Sequence, residues 1–335
     1  MQRIITIAAI LLVIQIGLAA FVLTRGTGKH EAFVPEGSFL SFDPQQVTSL
    51  SLGSGEGTTL SVQKNGDSWV AASAADAPVD ATQIEALLQR LAAEKQGLAV
   101  ATTASAAPRF HVAPDAFSSH LVLAGESGVL ADFYVGTGAG YQRSHARRSD
   151  SDDIVIIGVG EFELDPALDN WLDKNVLKRD RDQVVRVVFP DFTLARQDQG
   201  WALESASPGE TVPDKRIEDL LDSVCGLSLQ TLVSPAEAVP LFDQQPVLEY
   251  HVEARNGTRT TYTFAALADD DSAFALRLSD QPFYFKIYGW LVKDLQSFTR
   301  ERLTAPEEEL PAAESTSTPA IEPPGEAGTS LQQQP

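Results

Sequence analysis

Arg143, His145, Arg147 and Arg148 form the one basic cluster of an acidic chain. Closely spaced guanidinium groups can grip carboxylates or anionic sugars through paired, charge-assisted hydrogen bonds. The chemistry they offer is therefore docking of an acidic partner or an anionic glycan. Asp150, Asp152 and Asp153 follow at once and could neutralise the cluster, which leaves a solvated hairpin as the plainer reading. The aspartates lack the glycine and distal glutamate of a calcium loop.

Other constellations are weaker. Gly136-Thr137-Gly138-Ala139-Gly140 follows a strand-like run, but a phosphate-cradling loop must open a helix, whose N-terminal amides hold the anion. Tyr141-Gln142-Arg143-Ser144 reads as a strand instead, so the glycines are expected to make a hairpin turn. Ser61-Val62-Gln63-Lys64 has the Ser-x-x-Lys spacing of penicillin-binding enzymes, which a helix turn brings together; on a strand the two side chains face opposite ways. The histidines, His30, His111, His120, His145 and His251, form no metal-binding helix motif. Cys225 is the single cysteine, beside Asp219 and Asp222, and reads as a small buried hydrophobe rather than an activated thiol. No catalytic residue, cofactor or metal site is expected, and the chain reads as a non-enzyme.

The elements that must position these residues are written twice. Gly66-Asp67-Ser68-Trp69-Val70 leads through Val79-Asp80 to a stripe of Ile84, Leu87, Leu88 and Leu91. Gln199-Gly200-Trp201-Ala202-Leu203 leads through Val212-Pro213-Asp214 to Ile217, Leu220, Leu221 and Val224. Each stripe has the spacing of one helical face, with Asp80 and Asp214 expected as N-caps and Gly226 as the stop of the second helix. Trp69 and Trp201 are both expected to be core, filling the helix–sheet junction. Alternating runs such as Val47–Leu52, Thr59–Gln63, Val184–Phe189 and Thr260–Phe264 predict hairpin-linked strands.

The class expected is α+β: an N-terminal transmembrane helix, then two tandem units of mainly antiparallel sheet with a packed helix. Residues 1–3 form a cytoplasmic tail, 4–23 the anchor, 24–38 a spacer, 39–158 the first unit and 183–303 the second. Leu168, Trp171, Leu172 and Val176 predict a connecting helix within 159–182. Asp269-Asp270-Asp271 reads as a polar turn, and 304–335, rich in Pro, Glu, Ser, Thr and Gln, as a disordered tail.

Ile4 to Leu23 carries no charge across 20 residues, enough for the roughly 30 Å of a bilayer core. The run ends without a small-x-small cleavage site, so it reads as a retained single-pass anchor in the inner (cytoplasmic) membrane. Arg3 against Arg25 and Lys29 nearly balances the positive-inside count; the three-residue tail most simply stays inside, leaving the bulk in the periplasm. The formal charge of −21 disfavours nucleic acid and broad adhesion to anionic headgroups. One cysteine allows no intramolecular disulfide.

With the anchor and the doubled Trp-strand and Ile-x-x-Leu-Leu helix in view, the chain resembles the DUF4340 domain proteins of bacterial envelopes across roughly residues 40–300. Tyr141-Gln142-Arg143 resembles the family's Tyr-x-Arg strand and Trp171-Leu172-Asp173-Lys174 its Trp-x-x-Lys helix. Phe110-His111-Val112-Ala113-Pro114 departs from the family's Tyr-Gly-Leu-x-x-Pro-like turn. The resemblance implies no catalytic residue and no assigned biochemical function. Some members are encoded beside ABC transporters of the gliding-motility or auxiliary type, which implies a partner role in an envelope complex. The function expected is thus a non-enzymatic binding or scaffold subunit, auxiliary to an ABC-type transporter assembly. The alternative is a module binding an envelope glycan or lipid in the cleft between the units. An envelope hydrolase would need a nucleophile and base brought together from distant positions.

Overall fold

A computed structural model describes residue 15 and residues 37–305, except 199 and 268–271. The expected anchor (apart from residue 15), nearly all of the spacer, the Asp269–Asp271 turn and the tail beyond 305 lie outside the described residues. Among the described residues no helix is long and apolar enough to cross a membrane.

The first unit runs β1 (Ser49–Ser54), β2 (Thr59–Asn65), β3 (Ser68–Ala71), β4 (Ala77–Pro78), α1 (Ala81–Ala93), β5 (Val112–Ala113), β6 (Ala116–Phe117), β7 (Ser119–Gly125), β8 (Gly128–Gly140), β9 (Arg143–Arg148) and β10 (Ile154–Ile157). The second runs β11 (Val184–Val188), β12 (Thr193–Gln197), β13 (Gly200–Leu203), α2 (Asp214–Cys225), β14 (Leu229–Val233), α3 (Pro235–Ala238), β15 (Leu248–Ala254), β16 (Arg259–Ala266), β17 (Ala273–Leu278), β18 (Tyr284–Tyr288), α4 (Gly289–Ser297) and α5 (Arg300–Thr304).

The two large sheets have one topology. The first is ordered β10-β9-β8-β7-β1-β2-β3-β4, and the second β14-β18-β17-β16-β15-β11-β12-β13. All the pairings are antiparallel, as hairpin-linked strands demand. Strand β14 has its counterpart in the extended stretch after α1, where Ala101 bridges Ile154 beside β10. The fold is therefore α+β, with antiparallel sheets in two repeated units.

The apolar alternation explains the sheets. Leu50 and Leu52 of β1 and Leu60 and Val62 of β2 are buried, as are all four stripe residues of α1 and of α2. Each helix covers the inner face of its sheet, and a single apolar cluster runs through both units. Asp80 caps α1, accepting from the backbone N–H groups of Thr82 and Gln83 at 2.9 and 3.2 Å. Asp214 does not cap α2: Pro213 is the N-cap, and Asp214 sits in the first turn, where its charge suits the helix dipole. Gly226 is the C-cap of α2, its N–H donating to the Asp222 carbonyl at 2.8 Å, and a Cβ there would press on that carbonyl.

The connector is not a helix. Residues 161–164, 168–170 and 181–183 are short 3-10 turns, and the rest is irregular. The cause is local: the Asp165 and Asp173 carboxylates accept from the backbone N–H groups of Ala167 and Asn175, turn-forming bonds that compete with a helix. Leu164, Trp171, Leu172 and Leu177 are nonetheless buried. The connector binds both units. Asp80 N–H donates to Trp171 and Asp173 N–H to Pro78 on one side, and Arg179 N–H donates to the Cys225 carbonyl on the other.

Candidate functional site

Strand β9 places the four basic-cluster residues, and the structure separates them. Arg147 is 6 % exposed. Its Nε donates to the Val112 carbonyl at 2.8 Å, and its Nη1 to the Arg148 and Ser151 carbonyls at 3.1 and 3.0 Å. Its guanidinium lies over the Tyr134 ring, 5.0 Å from the centroid. Arg147 thus holds the β5–β6 hairpin down on the outer face of the sheet. His145 Nδ1 sits 2.9 Å from the Thr137 carbonyl, so it is the donor, and the imidazole packs on Phe110 at 4.6 Å. Arg148 pairs with Asp150 at 2.9 Å, the local neutralisation the sequence suggests. Arg143 is exposed at the start of β9. Strand alternation sends Arg148 to the face opposite Arg143, His145 and Arg147, and the flap covers Arg147, so the four do not form one patch.

The glycine run lies beneath that flap. Residues 136–140 continue β8 through two bulges, and the turn is Tyr141-Gln142, one step later than expected. Gly136 is required: a Cβ there would overlap the carbonyl oxygens of Phe110 and His111. Only Gly140, with φ +127°, uses a glycine's backbone freedom. Nothing opens a helix after them, so no anion cradle forms.

Beneath the flap lies a second small core of Ala107, Val112, Ala113 and Ile154. At its rim His120 stacks on Tyr134 at 4.4 Å and meets the Asp132 carboxylate at 2.7 Å. That histidine–carboxylate contact joins two neighbouring strands on the partly exposed face of the sheet.

The remaining candidates resolve into structure. Ser61 and Lys64 lie on β2, and Lys64 reaches over the Trp69 ring, with Nζ 6.0 Å from its centroid. Burial pushes the Cys225 thiol up to about 11, opposite to an activated nucleophile. Burial likewise pushes the Tyr262 hydroxyl up to about 12, against the pull of the nearby Arg179 charge. His251 meets Thr261 Oγ1 at 2.8 Å across β15 and β16. Among the described residues no group of three or more His, Cys, Asp or Glu is arranged to hold a metal ion.

Three grooves are each lined by a single unit. One of about 450 Å³ runs between α1 and β3, past Trp69, Lys64 and Glu85. One of about 300 Å³ lies beside Asp132, Arg148 and Asp150. The third, of about 300 Å³, lies between α2 and the C-terminal helices, with Asp219, Asp222 and Asp294 facing Arg216 and Arg302.

Exposed aromatic side chains are the feature that sequence reading missed. Tyr288 and Trp290 are 42 % and 66 % exposed, with ring centroids 6.5 Å apart where β18 passes into α4. Tyr141 and Phe162 are 87 % and 92 % exposed at one end of the first unit. A signal for Trp290 exists: Leu291, Val292 and Leu295 make the buried face of α4, and Trp290 falls off that stripe.

A family model described as a domain of unknown function (DUF4340) matches residues 69–246. No curated protein and no solved structure matches the chain.

Proposed function

We propose, from the premise that the chain belongs to the DUF4340 family, that it is a membrane-tethered, extracytoplasmic, non-enzymatic binding or scaffold subunit of an envelope assembly. The tether is the apolar run Ile4–Leu23 in the inner membrane, with the two units in the periplasm. The partner is an integral envelope protein of the ABC-type transporter class. The observation that carries the reading is the Tyr288–Trp290 pair. Tyr288 and Trp290 stand side by side in solvent on the second unit, and Trp and Tyr are the residues that most often anchor protein interfaces. The polar groups that could have done chemistry are committed instead. Arg147 and His145 bond to backbone carbonyls, and Arg148 pairs with Asp150.

Affinity capture of the full chain from native membranes tests this. Wild type is expected to bring down a stoichiometric transporter-type membrane protein. Trp290→Ala, a change at an exposed position, is expected to lower recovery of that partner about tenfold, equivalent to about 1.4 kcal/mol. Recovery of the bait alone would sink the scaffold reading; a partner retained undiminished by Trp290→Ala would sink the assignment to this pair.

A further inference from the structure

Tyr141, Phe162 and Leu98 are 87 %, 92 % and 56 % exposed, and short contacts tie their segments into one end of the first unit. The β8–β9 turn carrying Tyr141 touches the turn carrying Phe162: a Cβ on Gly160 would sit 3.6 Å from Gln142 Cα. The stretch carrying Leu98 runs beside β10, with a Cβ on Gly97 falling 3.7 Å from the Ile156 carbonyl oxygen and one on Gly158 falling 3.2 Å from Glu94 Oε2.

The continuous part of the described chain begins at this same end. Gln96 N–H donates to the Gly37 carbonyl at 2.9 Å and Phe39 N–H to the Glu94 carbonyl at 2.8 Å, while Ser38 bridges Lys95. Residues 94–97 therefore join the entry of the chain to the base of the aromatic tip. Before Gly37 come the apolar run Ile4–Leu23 and 13 linking residues, 24–36. Fully extended, those 13 residues reach at most about 45 Å. A membrane anchor on that tether thus holds this end of the unit near the bilayer at high effective concentration.

We infer that the Tyr141–Phe162–Leu98 tip is a membrane-facing foot that seats in the lipid interface beside the chain's own anchor. The inference rests on the anchor reading and deepens it by fixing which end of the first unit faces the bilayer. The side-chain chemistry fits. Exposed aromatic residues settle at the headgroup level, where the apolar ring is shielded and its edges stay wet. Arg143 and Lys95 flank the tip in solvent, while the neighbouring Glu163 carboxylate is engaged by Arg90 and by the Gly160 N–H. A chain of net charge −21 cannot be held broadly to anionic lipid, so the contact that remains open to it is a small apolar one with local cations.

The test uses the full chain reconstituted into vesicles of equal parts phosphatidylethanolamine and phosphatidylglycerol. An environment-sensitive fluorophore is placed at Phe162→Cys or, in a second protein, at Val129→Cys. Val129 is 66 % exposed at the opposite end of β8, and the native Cys225 is buried, so the introduced thiol takes the label. Flotation reports the anchor, and quenching by nitroxide lipids reports the tip. Both proteins are expected to float, with the label at 162 blue-shifted and quenched several-fold more than at 129. Flotation with equal, weak quenching at both sites would overturn the foot alone. A blue shift at 162 without lipid quenching would assign the tip to a protein contact, a second copy of this chain included, and overturn the lipid assignment. Loss of flotation would overturn the anchor, and the foot with it.

Discussion

The two units place different chemistry at the same register positions of the same sheet. On the inner face Leu121 faces Phe133 across β7 and β8, whereas Tyr250 faces Tyr262 across β15 and β16. On the outer face the first unit carries His120, Tyr134 and Arg147 side by side. The second carries Glu249, Thr263 and Arg277 there, with Thr263 Oγ1 donating to Glu249 at 3.0 Å. The two arginines are equivalent by register, one opposite Ile154 and the other opposite Tyr284, each at the start of its last strand. Arg147 is buried beneath a flap; Arg277 is exposed and lies over the Phe242 ring. The topology thus depends on strand alternation and one helical stripe, which leaves the other positions free to diverge.

The tryptophans offer the sharpest way to break that comparison. Trp69 is 3 % exposed and its indole N–H has no protein partner among the described residues, so packing is its contribution. Trp201 is only partly buried against the core. Trp69→Ala is expected to cost about 3–5 kcal/mol and Trp201→Ala no more than about 2 kcal/mol, measured by chemical denaturation of the full chain. Equal losses would show that the two junctions are packed alike after all.

The arginines come next. Arg147→Met would strip the donor from three carbonyls under the flap, and a loss of about 2–4 kcal/mol is expected. Arg277→Met gives up an exposed cation–π contact worth about 0.5–1 kcal/mol. Backbone hydrogen exchange over 104–118 would locate the first loss: protection there should fall in Arg147→Met and stay unchanged in Arg277→Met. A flap that keeps its protection without Arg147 would show that Phe110 and Gly136 suffice to seat it.

What was legible in the sequence follows the same division. Helices α1 and α2 and most of the strands could be read because a period of 3.6 or 2 is imposed by burial itself, as the stripe Ile84, Leu87, Leu88 and Leu91 and the alternation of Leu50, Leu52, Leu60 and Val62 show. The connector could not. Trp171 and Leu172 have helical spacing, but the competing turns of Asp165 and Asp173 are decided by which backbone N–H each carboxylate reaches. The flap was equally hidden, since nothing in Arg143–Arg148 says that the Val112 carbonyl will arrive to bury Arg147. The basic cluster was visible as composition, and so was the local pairing of Arg148 with Asp150, whereas the burial of Arg147 comes from a carbonyl 35 residues distant in the chain.

The smallest expected effect bears on the inner faces. Tyr250 is fully buried in a stack with Phe189 at 4.9 Å and Tyr262 at 4.8 Å, and its hydroxyl has no hydrogen-bond partner among the described residues. Burial drives its pKa well above the ordinary value, and the neighbouring Tyr262 adds to the rise. An unpaired hydroxyl in such a place costs free energy, and the equivalent position of the first unit holds Leu121, which has none to satisfy. Tyr250→Phe keeps the ring and is expected to leave stability unchanged or raise it by up to about 1 kcal/mol. A loss greater than about 1 kcal/mol in the same denaturation assay would show that the hydroxyl is bonded. The second unit's core would then be held by a polar contact that the first unit's hydrocarbon core does without.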